Sequence, residues 1–252
     1  RHPQRDPVTF DGPSGFAWGA LILPHLEQLP VYYQLRMDEP CWSPVQGSAT
    51  KTRIASFLCP SASQSDSPVE VRDAGGRVLA TFGRSTYVAS AGQEEPWGMS
   101  IDDYASIADG AMFRNARLRV RDFLDGTSNT VFLGEHVPIL SHKTWVGVVP
   151  GATVCNNSPK RFPLSECDHA ATLVNVHSGP ASDEIDPIAG FAPIHPPNSP
   201  LAHVCQMYSE HGSGANVTFG DGSVRFISAS IHQPTWAALS SRAKGEVLGD
   251  YE

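Results

Sequence analysis

The segment His211 to Ile227, HGSGANVTFGDGSVRFI, sets an Asp221-Gly222 pair between two stretches in which apolar and polar residues alternate. Period-two alternation broken by Asp-Gly is the strongest short-range signal for a β-hairpin, because these residues tolerate the positive φ angles of a two-residue type I′ loop. The pattern predicts that Val217 and Phe219 share one face and that Val224 and Phe226 return to it after the turn. Nine residues separate His211 from the Asp.

Composition extends the β-rich reading to the whole chain. With 22 glycines, 21 prolines and only 17% charged residues in 252, the sequence describes a loop-rich α+β protein, long enough to bury a substantial core. We expect one globular unit, residues 1–252, with helix in the minority. The net charge of −8 argues against nucleic acid and anionic membranes as partners, since both need clustered Lys and Arg. No long apolar run is present.

Along the chain, residues 1–14 form a polar, proline-broken leading segment. Trp18, Leu21, Ile22, Leu26 and Leu29 then recur near the helical period, with Pro24 expected to break the helix. Ser61 to Gly76 reads as a surface loop or hairpin arm before the apolar segment Arg84 to Ala91. Leu118 and Val120 alternate with arginines as a half-buried strand would, Asp122 to Asp125 look like a turn, and Thr130 to Leu133 resume as a strand. Residues 150–205 are proline-rich and irregular, the place to expect long loops and specific contacts. Residues 206–244 hold the hairpin and a last short helix, with Pro234 in its first turn and Trp236 and Leu239 on one face.

Five cysteines, Cys41, Cys59, Cys155, Cys167 and Cys205, show no Cys-x2-Cys pair. In an exported protein Cys155 and Cys167 would close one short loop and Cys41 and Cys59 another, leaving Cys205 over. The alternative is that several pack as buried reduced thiols.

Five blocks in order resemble a large family of pseudopilin-like proteins of planctomycete-type bacteria, known mainly as a domain of unknown function, DUF1559. They are GFAWGALILPHLEQLPVYYQL (Gly15 to Leu35), FLCPSAS (Phe57 to Ser63), STYVASAG (Ser85 to Gly92), DGAMFRNARLRVRDFLDGTSNTVFLGEH (Asp109 to His136) and the His-x9-Asp-Gly hairpin. The resemblance implies a pilin-like head of the type IV pilin or type II secretion kind: an antiparallel sheet packed on a short N-terminal helix remnant, elaborated by long loops. It further implies an exported protein, periplasmic or at the cell surface, anchored in its precursor by an N-terminal helix of about 20 apolar residues. Its signature residues are carried here by Asp125, Gly126, Ser128, Asn129, Glu135, His211, Asp221 and Gly222.

Each candidate site has a structural counterpart. Asp125, Thr127 and Asn129 in the DGTSNT loop offer oxygens for calcium, as the resemblance to secretion pseudopilins suggests, or they make a self-bonded turn. His211 can serve as a polar clasp onto a carboxylate such as Glu135. The ten histidines show no His-x3-His or His-Glu-x2-His spacing, and His169, His177 and His195 fall in the irregular region, where surface histidines are common. The acidic run Ser182 to Asp186 reads as solvated loop charge. Phosphate-loop, dinucleotide and serine-elbow motifs are missing from the sequence.

Three function classes therefore stand. The first is a structural, non-catalytic subunit working with other pilin-like subunits or secretion components. The second is an extracellular module binding a surface glycan or other solute, with Trp42, Trp97 and Trp145 as exposed stacking platforms. The third is a secreted enzyme whose metal site is assembled from distant His and acidic residues. A binder requires aromatics lining one groove, and an enzyme requires convergent His or acidic side chains.

Overall fold

Short apolar runs punctuated by Gly and Pro fold here into many short elements. The computed structural model describes residue 6 and residues 9–64, 66–98, 106–158, 167–182, 184–185, 190 and 192–249. Among these are helices α1 (Trp18–Leu21), α2 (Leu29–Tyr32) and α3 (Gln233–Ser240). The strands are β1 (Val69–Asp73), β2 (Val78–Phe82), β3 (Tyr87–Ser90), β4 (Val131–Glu135), β5 (Ala152–Cys155), β6 (Cys167–His169), β7 (Asn175–Val176), β8 (Gly214–Phe219) and β9 (Val224–Ser228). They form one sheet in the order β2-β1-β5-β6 and another in the order β7-β3-β4-β8-β9. All pairings are antiparallel except β3 with β7, so the α+β class follows.

The helical period near the N-terminus yields separate turns rather than one helix. Pro24 begins a 3-10 turn, Leu23–Leu26, and Glu27 closes it at φ 58°, in the left-handed region, before α2 starts. These turns lie on the larger apolar core. Trp18 meets Phe57 edge-on at 5.7 Å, and Phe57 stacks on Trp145 at 6.1 Å. Gly19 lets α1 approach this far, because a Cβ there would strike the carbonyl oxygen of Trp145.

Two sequence expectations fail for local reasons. Leu118 and Val120 do not form a strand: Val120–Asp122 is a 3-10 turn, and the Asp122 carboxylate accepts the Arg119 amide at 2.6 Å, a cap that competes with extension. Val120 is left 80% exposed.

The second failure is the hairpin register. The Gly222 amide donates to the Phe219 carbonyl at 3.0 Å and the Phe219 amide to that of Ser223 at 2.9 Å, so the loop is the three residues Gly220-Asp221-Gly222. Only Gly222 takes a positive φ, +87°, as in a type I turn closed by a Gly bulge. The extra loop residue moves the pairing by one, to Thr218 with Val224 and Val217 with Arg225. A one-residue slip flips every side chain of the returning strand. Ile227 is therefore buried beside Val217 and Phe219, while Val224 and Phe226 are exposed. Trp236 and Leu239 of α3 complete this smaller core, as their spacing predicts.

Candidate metal centre

Glu135, the last residue of β4, is the hub of the signature residues. One carboxylate oxygen lies 3.2 Å from Nε2 of His211 and 3.4 Å from the Cys59 thiol, and the other accepts the Asn216 amide at 2.7 Å. His211 thus meets Glu135 in the clasp geometry, and Asp221 and Gly222 serve the turn: the Asp221 carboxylate accepts the Ser223 amide at 2.9 Å.

The DGTSNT loop turns inward on its own protein. Asp125 accepts the amides of Gly245 at 2.8 Å and Lys244 at 2.9 Å, while Asn129 donates to the Asp125 carbonyl at 2.9 Å and Thr130 to that of Gly126 at 3.1 Å. Both Asp125 oxygens face N–H donors, and Gly126, at φ +93°, supplies the bend. Thr127–Asn129 is a 3-10 turn, and the bonds of Asp125, Asn129 and Thr130 make this loop self-bonded and tether the C-terminal segment.

Two of the three tryptophans expected as exposed platforms are core. Trp145 is fully buried, its indole N–H donating to the Thr52 carbonyl at 3.1 Å, and Trp97 is 3% exposed and donates to Asp168 at 3.2 Å. An indole whose N–H finds an internal acceptor loses little by burial and gains its full apolar area. Trp42 is half-buried against the same core.

The sequence allows Cys41 and Cys59 either to pair or to pack as reduced thiols, and the structure has them as reduced thiols. Cys155 and Cys167 face each other across β5 and β6 and are bonded. Cys41, Cys59 and Cys205 are separate buried thiols.

The largest departure from the sequence reading lies in the irregular region. His177, directly after β7, His195 and His203 come from three stretches of chain and converge with Glu184. Each backbone is fixed. The His177 amide donates to the Cys205 carbonyl at 3.2 Å, that of His195 to Ser178 at 2.9 Å, and that of His203 to the Gln206 side chain at 2.8 Å. Trp236 of α3 donates to the His195 carbonyl at 3.1 Å, and Ser182 holds the turn before Glu184 by two bonds of 2.9 Å to Glu94.

The side chains point at one spot. Glu184 Oε1 lies 3.0 Å from His203 Nε2, and Oε2 lies 3.5 Å from His177 Nε2 and 4.0 Å from His195 Nε2. The three imidazoles are 0–1% exposed and the carboxylate 11%. His177 Nδ1 lies 3.1 Å from the Gln93 carbonyl, so it carries the hydrogen and Nε2 presents its lone pair to Glu184. Burial holds His177 below the usual imidazole pKa and His195 well below it. The three cationic-capable rings, although burial opposes them, hold Glu184 well below the carboxylate range. Three imidazole nitrogens and one carboxylate oxygen form a donor set suited to a divalent transition ion.

Glu95 stands as close to His177 Nε2 as Glu184 does, at 3.5 Å. Nearby, Asp168 accepts the Cys205 thiol at 2.6 Å, and Lys143, its pKa pushed down to about 8 by burial, donates to the Thr172 and Val204 carbonyls at 2.6 and 2.9 Å. His177 and His195 are thus buried in this cluster rather than surface histidines, and Glu184 is not part of a solvated acidic run. No fixed spacing announces this cluster. The available signal is density: three histidines and three acids within one proline-rich stretch, His177 to His203.

A family model described as "Protein of unknown function (DUF1559)" matches residues 3–233, a span that holds all five sequence blocks, the clasp residues and the histidine cluster. No curated protein and no solved structure matches. The family match covers most of the chain, and the protein belongs to the DUF1559 family of proteins of unknown function.

Proposed function

We propose that this chain is the head of a pseudopilin-like structural subunit, exported to the periplasm or cell surface, whose work is assembly with other pilin-like subunits or secretion components and not catalysis. The observation that carries the reading is strand β9. It is the last strand of the five-stranded sheet and turns Val224, 63% exposed, and Phe226, 47% exposed, outward. An edge strand bearing apolar side chains is a template for pairing with another chain. The ordered blocks add the resemblance to pseudopilins, and the signature residues Glu135 and His211 spend their polar groups on the fold. Among the described residues no helix is long and apolar enough to cross a membrane.

A second reading has one observation in its favour. A groove of about 680 Å³ is lined by Phe16, Trp18, Phe113, Phe123 and Phe132, an aromatic surface suited to a glycan or other flat solute.

Placing a photoreactive residue at Phe226 in the producing cell tests the assembly reading, with Tyr33, 76% exposed and remote in sequence, as control. Position 226 is expected to crosslink to an envelope protein of pilin-like sequence and position 33 not to. Absence of crosslinks at 226 together with retention on polysaccharide that Trp18→Ala abolishes would favour the solute-binding reading instead.

A further inference from the structure

We propose that His177, Glu184, His195 and His203 form a closed structural site for one divalent transition-metal ion of the zinc class. The argument begins with what the protein alone leaves unsatisfied. Among the described residues, neither ring nitrogen of His195 has a hydrogen-bond partner, and neither do His177 Nε2 and Glu184 Oε2, although all four atoms are buried. Each such atom carries the full desolvation penalty of its group, and native structures seldom collect several in one place.

A proton does not resolve this. One proton shared between Glu184 and His203 makes a good pair at 3.0 Å, yet it leaves His195 and the lone pair of His177 buried without a partner among the described residues. A cation bound by one atom of each group engages three of these four atoms at once, leaving a single nitrogen of His195, and it neutralises a carboxylate enclosed by imidazoles.

Dimensions agree. Four ligands at about 2.1 Å in a tetrahedron are separated by about 3.4 Å. The ligand atoms here stand 3.0, 3.5 and 4.0 Å from the carboxylate oxygens, and all lie within 4.8 Å of one another. Closing the set takes contraction of the wider separations, from at most 4.8 Å, toward that value. Orientation is built in: the Gln93 carbonyl fixes the His177 tautomer, and Trp236 and Ser178 fix the His195 backbone.

Two other groups of potential ligands lack this character. In Cys59, Glu135 and His211 the carboxylate already accepts the Asn216 amide, and in Glu95, Asp168 and Cys205 the thiol donates to Asp168. Closure also decides the role. Catalytic zinc keeps an open position for water or substrate, whereas four buried protein ligands describe a structural ion. The ion would pin the irregular stretch from His177 to His203 against β7 and α3.

The test uses the protein purified without a histidine tag, stripped by chelator and titrated with Zn²⁺, then with Co²⁺ as a spectroscopic probe. One ion per chain is expected, with the intense visible absorption of tetrahedral cobalt. At a hundredfold excess over Kd, Zn²⁺ is expected to raise Tm by roughly 5–10 °C. Glu184→Gln and His195→Ala should lose more affinity than the roughly 10- to 100-fold that removing an outer partner costs, while His25→Ala keeps full binding. If either site variant fails to fold, the wild-type titration decides alone. Wild-type protein that neither retains an ion nor gains stability with Zn²⁺, or binding unchanged in both site variants, would overturn the proposal.

Discussion

His211 Nε2 and Glu135 Oε1 lie 3.2 Å apart, joining the approach to β8 to the end of β4 across 76 residues of chain. Glu135 is 4% exposed and also accepts the Asn216 amide, so its carboxylate ties the hairpin to its neighbouring strand twice. Glu135→Ala is expected to cost on the order of 2–4 kcal/mol, because it strands a buried amide as well as losing the His contact. His211→Ala should cost about 1 kcal/mol, since the ring is 30% exposed and water replaces part of the bond. Urea unfolding of both variants and the double variant should show a coupling above about 0.5 kcal/mol. Additive losses would mean that the two side chains do not act together.

Acid sensitivity follows from His142. Burial, then Arg84 and Lys143, push its pKa down to about 4, and Nδ1 lies 3.1 Å from the Arg84 guanidinium. The unfolded chain takes up this proton near pH 6.5 and the folded chain only near 4. The contribution is therefore complete above pH 6.5 and drains as pH falls to 4, at up to about 1.4 kcal/mol per pH unit. Wild type is expected to lose stability against His142→Asn throughout that window, measured as unfolding free energy at successive pH values. A constant gap between the two proteins would count against the assignment.

The Cys155–Cys167 bond closes a separation of 12 residues. Loop-closure entropy assigns such a crosslink about 3 kcal/mol, and both cysteines are exposed to reductant. Reduction, or Cys155→Ser with Cys167→Ser, should lower Tm by roughly 6–12 °C, read by calorimetry. An unchanged Tm would show that the paired strands β5 and β6 hold this loop without the bond.

Asp125 holds the segment after α3 by accepting the Lys244 and Gly245 amides. In Asp125→Ala, amide exchange at residues 241–249 is expected to speed by about tenfold or more, for a loss of roughly 1–3 kcal/mol. Millimolar calcium should leave the wild-type exchange pattern unchanged, because the carboxylate already faces its donors. Calcium-dependent protection there would return the loop to the ion-binding class.

What was legible in the sequence was local. Alternation and Asp-Gly locate the hairpin, and the spacing of Pro234, Trp236 and Leu239 locates α3, because each signal lies within a few residues. The register was not legible: two- and three-residue loops are both compatible with FGDGS, and backbone hydrogen bonds at Phe219 and Ser223 choose between them. Trp97 and Trp145 show the same limit, since burial depends on acceptors at Asp168 and Thr52 that lie 71 and 93 residues away. The histidine cluster is the extreme case. Its ligands are brought together by β7, α3 and the Glu94 tether, none of which leaves a spacing to read.

The assembly claim is tested most directly by the size of the native protein in its own cells. Gentle extraction of the envelope from cells carrying a C-terminal tag, followed by negative-stain microscopy and sizing of the tagged material, would show it in filaments or in complexes containing other pilin-like subunits. Those complexes are expected, and Phe226→Glu is expected to disperse them while leaving the fold intact. Tagged protein recovered as a monodisperse monomer, with the variant indistinguishable from it, would contradict the account.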